Sequence, residues 1–147
     1  MEQSIALQII KCFQKGNKVL ICGNGGSATM AQHFAGEFVG KYLHHRRPLP
    51  ALSLTSETAT ITAIANDYGY ESIFERQVEA LGNKGDILIT LSTSGKSKNV
   101  INATKAAEVI GMDIIDFPRE GSSTPEIQEN QLKLIHKVCK IVEEAFL

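Results

Sequence analysis

The sequence predicts an α/β fold, a three-layer sandwich in which a mostly parallel sheet lies between helices. Three observations carry this. Short apolar runs at 18–22, 49–54, 86–91 and 112–117 lack the polar alternation of a half-exposed strand, segments of helical period separate them, and two of the runs end in turns of glycine, serine and threonine. An unbroken apolar run is what a strand covered on both faces requires. Strands alternating with helices at this spacing join through parallel crossovers.

Taken in order, Ile5, Leu7, Ile9, Ile10 and Phe13 mark an amphipathic helix that stops near Gly16-Asn17, residues suited to a helix end. Lys18 to Cys22 is the first strand, Gly23-Asn-Gly-Gly-Ser27 its turn, and Ala28 to about Val39 the helix that follows. Leu49 to Leu54 reads as a second strand, Thr58 to Ala65 as a short helix, and Asn66-Asp67 with Tyr68-Gly-Tyr70 as a turn by composition. Ile73 to Leu81 is a further helix, closed by Gly82-Asn-Lys-Gly85. The strand at Asp86 to Leu91 leads through Ser92-Thr-Ser-Gly-Lys-Ser97 into a helix over Asn99 to Ile110, then a strand at Met112 to Phe117. The last helix starts near Pro125, which suits a first helical turn, and runs to Leu147.

At 147 residues, 43% hydrophobic and a formal charge of −1, the chain suits one globular domain over 1–147 rather than a disordered or fibrous one. Near-neutral charge, locally basic only from Lys41 to Arg47, argues against nucleic acid held by charge. Cys12, Cys22 and Cys139 are odd in number and sit in apolar patterns, as buried free thiols of a reducing compartment do. With no signal peptide and no apolar stretch long enough to cross a bilayer, a cytoplasmic location without membrane contact is expected.

The Ser92 to Ser97 turn aims unpaired N–H groups, a helix dipole and several hydroxyls at one point, which suits a phosphate; an ordinary serine-rich helix cap would read the same. In parallel sheets, ligands bind beyond the carboxyl ends of the strands, where the glycine turn also falls. Neither turn has the spacing of a dinucleotide or P-loop fingerprint. His33 and Glu37 are four apart and share a helix face, as a metal or ligand site needs and as many surface pairs do. Gln128 and His136 lie eight apart, about 80° around a helix, so one broad face holds both; alone, His136 reads as a hydrogen-bonded core histidine.

Gly23-Asn-Gly-Gly-Ser27, His33-Phe-Ala-Gly-Glu37, Asn66-Asp67, Ser92-Thr-Ser-Gly-Lys-Ser97 and Ile127-Gln-Glu129 followed by His136, in this order, resemble the sugar isomerase (SIS) family with its flavodoxin-like fold, and within it the phosphoheptose isomerases. The resemblance implies conversion of sedoheptulose 7-phosphate into D-glycero-D-manno-heptose 7-phosphate in heptose biosynthesis, an aldose-ketose exchange through an enediol. It implies that Ser92, Thr93, Ser94 and Ser97 hold the phosphate, that Asn24, Gly25, Gly26, Ser27, Asn66, Asp67 and Gln128 bind the sugar, and that Glu37, which also contacts substrate, and His136 are catalytic. It further implies one zinc ion on His33, Glu37, Gln128 and His136, and a homotetramer built on the apolar faces of the first and last helices. A replication-initiator-binding SIS protein and a sugar-phosphate sensor are the rival classes; the first generally lacks the His/Glu/Gln/His set, and the second is normally joined to a DNA-binding segment.

Two departures stand out. Lys41 occupies a position where the family often has arginine, which keeps the charge but not a forked contact. Between Gly111 and Gln128 the family has a strand, loop, helix and further strand, whereas Met112 to Ile127 is too short for a parallel crossover. A segment is therefore expected to be missing near 115–116; an unbroken chain there would leave the sheet one strand short.

Overall fold

The computed structural model describes residues 1–147. The elements are α1 (Glu2–Gln14), β1 (Val19–Gly23), α2 (Gly26–Val39), β2 (Ala51–Ser53), α3 (Thr58–Tyr68), a single 3-10 turn (Tyr70–Ser72), α4 (Glu75–Leu81), β3 (Ile87–Leu91), α5 (Lys98–Ile110), β4 (Asp113–Asp116) and α6 (Thr124–Glu144). The four strands form one sheet in the order β2-β1-β3-β4, every pair parallel. Val19 is in register with Ile87 and Gly23 with Leu91, so the turns after β1 and β3 leave the sheet side by side.

Side chains alternate between the two faces along each strand. Val19, Ile21, Ile87, Ile89 and Leu91 enter the larger core with Ile9 and Phe13 of α1, Phe34 and Phe38 of α2, and Ile135 and Val138 of α6. Leu20, Cys22 and Leu88 enter a smaller core with Phe74, Val78, Val100 and Ala103. The apolar faces of α1 and α6, expected to meet other subunits, are thus occupied inside the chain. All three cysteines are buried and free.

α6 begins as the sequence predicts. The Ser123 hydroxyl accepts the Glu126 N–H, Pro125 lies in the first turn, and Glu126 accepts from the Ser122 N–H and hydroxyl. α3 is longer than predicted, taking in Asn66 and Asp67 and ending only where Gly69 turns to φ +96. The correction has a simple cause: Asn and Asp tolerate a last helical turn when a glycine follows to end it.

Near 115–116 the chain is unbroken. β4 runs through Ile115 and Asp116 in continuous register with Ile89 and Thr90, and residues 117–123 then lead straight into α6. The sheet as it stands has four strands, with β4 at its edge.

Candidate active site

The hydroxyl turn is built by its own side chains. Ser92 Oγ accepts the Gly95 N–H at 3.0 Å and Ser94 Oγ accepts the Lys96 N–H at 3.1 Å, while Gly95 takes φ +70. Ser97 caps α5 in extended backbone geometry without a side-chain cap bond, so its hydroxyl is not committed within the turn. Residues at the first turn of a helix leave N–H groups without intrahelical partners, and these with the dipole favour an anion here. The Arg119 guanidinium lies over Gly95, close enough that a side chain at 95 would press on it, and is held by two bonds to Asp116 at 2.9 and 2.8 Å.

The glycine turn stands beside it. Gly25 takes φ +58, and Gly26 starts α2 with the Gln128 amide packed so closely on it that any Cβ would collide. That contact brings the start of α6 onto the start of α2. Asn24 reaches the other way, exchanging amide hydrogen bonds with Asn99 at 2.8 and 2.9 Å and accepting from the Tyr70 hydroxyl at 2.9 Å.

Farther along α2 and α6 the side chains converge. His33 Nε2 and His136 Nε2 are 3.3 Å apart, and His33 Nε2 is 3.8 Å from Glu37 Oε1. One donor atom from each of the three residues lies within 4.8 Å of the others. Bonds of about 2.0–2.2 Å in a tetrahedron put ligand atoms about 3.4 Å apart, so this spacing fits a zinc-sized ion with little adjustment. Glu37 is partly buried and His33 partly open to solvent, which leaves a route in. The Tyr42 ring covers His136 at 5.7 Å; burial, with Cys139, Glu37 and Glu143 nearby, pushes its hydroxyl above the ordinary tyrosine value, so it stays protonated beside the carboxylate.

The loop bearing Tyr42 is anchored from α6. Glu143, 2% exposed, accepts the N–H groups of Tyr42, Leu43 and His44 at 2.9, 2.7 and 2.9 Å and faces Arg46 Nε at 3.4 Å. Arg46 donates to the carbonyls of Glu37, Phe38 and Gly40, fixing the end of α2.

Of the residues expected to act together, His33, Glu37 and His136 meet within one chain. Gln128 lies against Gly26, eight residues or about 12 Å of helix rise from His136. Asn66 and Asp67 are exposed and bond to each other. Lys41 is also exposed. Sequence reasoning did not find Tyr42, Tyr70, Asn99 or Arg119, although Asn99 carries a signal, a polar residue in the first turn of a helix whose neighbours Val100 and Ala103 are core.

The sequence model of the family described as SIS domain matches residues 3–117. Among similar proteins is the phosphoheptose isomerase of Helicobacter pylori, 46% identical over 99% of this chain and 84% of its own length. That of Burkholderia pseudomallei is 48% identical over 97% of this chain and 81% of its own. The solved phosphoheptose isomerase from Francisella tularensis superposes with a TM-score of 0.93 at 35% identity, and that from Neisseria gonorrhoeae with 0.90 at 37%, each covering 97% of this chain and 85% of the other. The Helicobacter alignment runs over 162 positions while taking in 99% of 147 residues, so that relative has about 16 residues without a counterpart here. The short path from β4 to α6 is where the sequence places such a deficit.

Proposed function

The chain belongs to the SIS domain family, and we propose that it is a phosphoheptose isomerase acting on sedoheptulose 7-phosphate in heptose biosynthesis. The observation that carries this is the meeting of His33, Glu37 and His136 on the two helices whose first turns flank the glycine turn. A module that only binds a sugar phosphate has no need of a carboxylate and two imidazoles at this distance from its anion site.

In this reading the substrate phosphate sits at the start of α5, held by Ser92, Thr93, Ser94 and Ser97 with the local N–H groups. His33 follows Gly26 by seven residues, about 10 Å along α2, so the carbon chain extends from the anchor toward the cluster. Gly25, Gly26 and Gln128 line the path, and Ser27 is buried behind it against Gly23. Glu37 takes the proton from C1 of the ketose, the electron pair moves to give the enediol, and the same carboxyl returns a proton to C2. His136 carries the proton between the two oxygens, from O1 to O2, so the sum is an isomerisation with no net loss of atoms. Tyr42 and the Glu143–Arg46 anchor keep His136 and Glu37 in register.

His33, Glu37 and His136 would hold a zinc ion, while Gln128, packed on Gly26, stands apart from them and serves the sugar path instead. Such an ion, when bound, acts as a Lewis acid on the substrate oxygens. A carboxylate that ligates through one oxygen keeps its second for the proton.

We infer a cytoplasmic homotetramer.

The test is an assay coupled to aldose formation from sedoheptulose 7-phosphate. Turnover by the purified chain is the expected result. Phosphate binding without turnover would make it a binding module instead.

A further inference from the structure

We propose that Asn99 is a positioning residue that acts through Asn24, locking the glycine turn to the hydroxyl turn so that the phosphate anchor and α2 keep a fixed separation. The proposal rests on the isomerase reading above. Asn24 Nδ2 donates to Asn99 Oδ1 at 2.8 Å, and Asn99 Nδ2 donates back to Asn24 Oδ1 at 2.9 Å. The Tyr70 hydroxyl donates to the same Asn24 oxygen at 2.9 Å. An amide oxygen has two lone pairs and an amide nitrogen two protons. Asn24 Oδ1 is therefore saturated, and a single Nδ2 proton is left for a ligand. Asn24 acts as a strut, and its carbonyl does not orient a sugar hydroxyl.

The location gives the strut its consequence. Asn24 lies two residues before the start of α2, which carries His33 and Glu37, and Asn99 lies two residues after Ser97 at the start of α5. Both turns leave adjacent strands at their carboxyl ends, the side where ligands bind in parallel sheets. Asn99 is 3% exposed and Asn24 half-buried, so water reaches the pair only from the Asn24 side. By contrast, the Asp86 network, which ties Lys18, Asn17 and Asn83, sits at the amino ends of β1 and β3 and has no access to the site. A shift between the anchor and the base moves the reacting carbon away from Glu37 while leaving the phosphate contacts intact.

The experiment compares kcat, KM, inhibition by inorganic phosphate and thermal midpoint in the full chain and its variants. In Asn99→Ala, kcat is expected to fall about 10- to 100-fold, the cost of misplacing reacting groups by a fraction of an ångström to an ångström. Inhibition by inorganic phosphate stays at the wild-type value. The double variant Asn24→Ala/Asn99→Ala is no slower than Asn24→Ala, because one residue acts through the other. A lowered thermal midpoint with unchanged kcat would show a merely structural role and overturn the proposal. Where Asn99→Ala does not fold, Tyr70→Phe removes one donor from Asn24 at a residue 58% exposed; a smaller fall in kcat supports the proposal, and wild-type kcat overturns it. A wild-type chain without turnover overturns the isomerase reading itself and this proposal with it.

Discussion

His33 of α2 and His136 of α6 meet Nε2 to Nε2 at 3.3 Å, although 103 positions separate them in the chain. Two imidazoles at that distance either share one proton or share one ion. With Glu37 Oε1 3.8 Å from the same His33 nitrogen, the three donors have the spacing of a metal centre. The chain should take up about one zinc per subunit, counted by elemental analysis after dialysis. His33→Ala and His136→Ala should each lose retained zinc, and treatment with a chelator should lower the wild-type thermal midpoint while leaving those variants unmoved. Equal zinc retention by wild type and both variants would place the ion elsewhere.

Ser92 and Ser97 separate binding from construction in the hydroxyl turn. The Ser97 hydroxyl makes no cap bond, so Ser97→Ala should leave the urea midpoint unchanged and raise KM about 10- to 100-fold, the worth of a hydrogen bond to a charged oxygen at about 1.5–3 kcal/mol. The Ser92 hydroxyl accepts the Gly95 N–H, so Ser92→Ala should raise KM and also destabilise the fold by about 1 kcal/mol. Steady-state kinetics beside urea denaturation reads both.

Glu143 predicts the acid limb of stability. Burial alone would push its carboxyl up, but the N–H groups of Leu43, Tyr42 and His44 and the Arg46 guanidinium outweigh it and hold the carboxyl below the ordinary glutamate value. A carboxyl lowered in the folded state binds fewer protons there than in the unfolded chain. Its stabilisation is therefore complete above the ordinary glutamate value and is lost as pH falls through the lowered one. Glu143→Gln should destabilise the protein by about 3–5 kcal/mol near neutral pH, because Arg46, 1% exposed, loses its counter-charge. Urea midpoints from about pH 7 to about pH 3 should show that difference shrinking as the wild-type carboxyl protonates. A constant difference across that range would contradict the assignment.

The fold was legible in the sequence because its strands are short unbroken apolar runs and its turns are marked by glycine. Val19 to Gly23 and Ile87 to Leu91 are buried at every position, which leaves a single reading of each. β2 was harder: Leu49 and Leu54 are core, yet only Ala51–Ser53 pair, because burial extends beyond the ladder. Asn66 and Asp67 read as a turn by composition, and only the glycine after Tyr68 decides that they end a helix. Helical spacing pairs His33 with Glu37, and the packing of α2 on α6 adds His136. Asn99 carried only the weak signal of a polar residue among core neighbours at the start of α5, and Tyr42 and Tyr70 were not legible. Their roles come from loops that sheet register and the Glu143 anchor bring together, and no local pattern encodes that proximity.

The most direct test of Glu37 as the proton-transferring base in a cluster with His33 and His136 is kcat for Glu37→Gln with sedoheptulose 7-phosphate. The substitution keeps the size and the position on α2 but removes the basic oxygen. A fall of about 10²- to 10⁴-fold, with inhibition by inorganic phosphate unchanged, is the predicted result. Turnover at the wild-type rate would show that another group moves the proton.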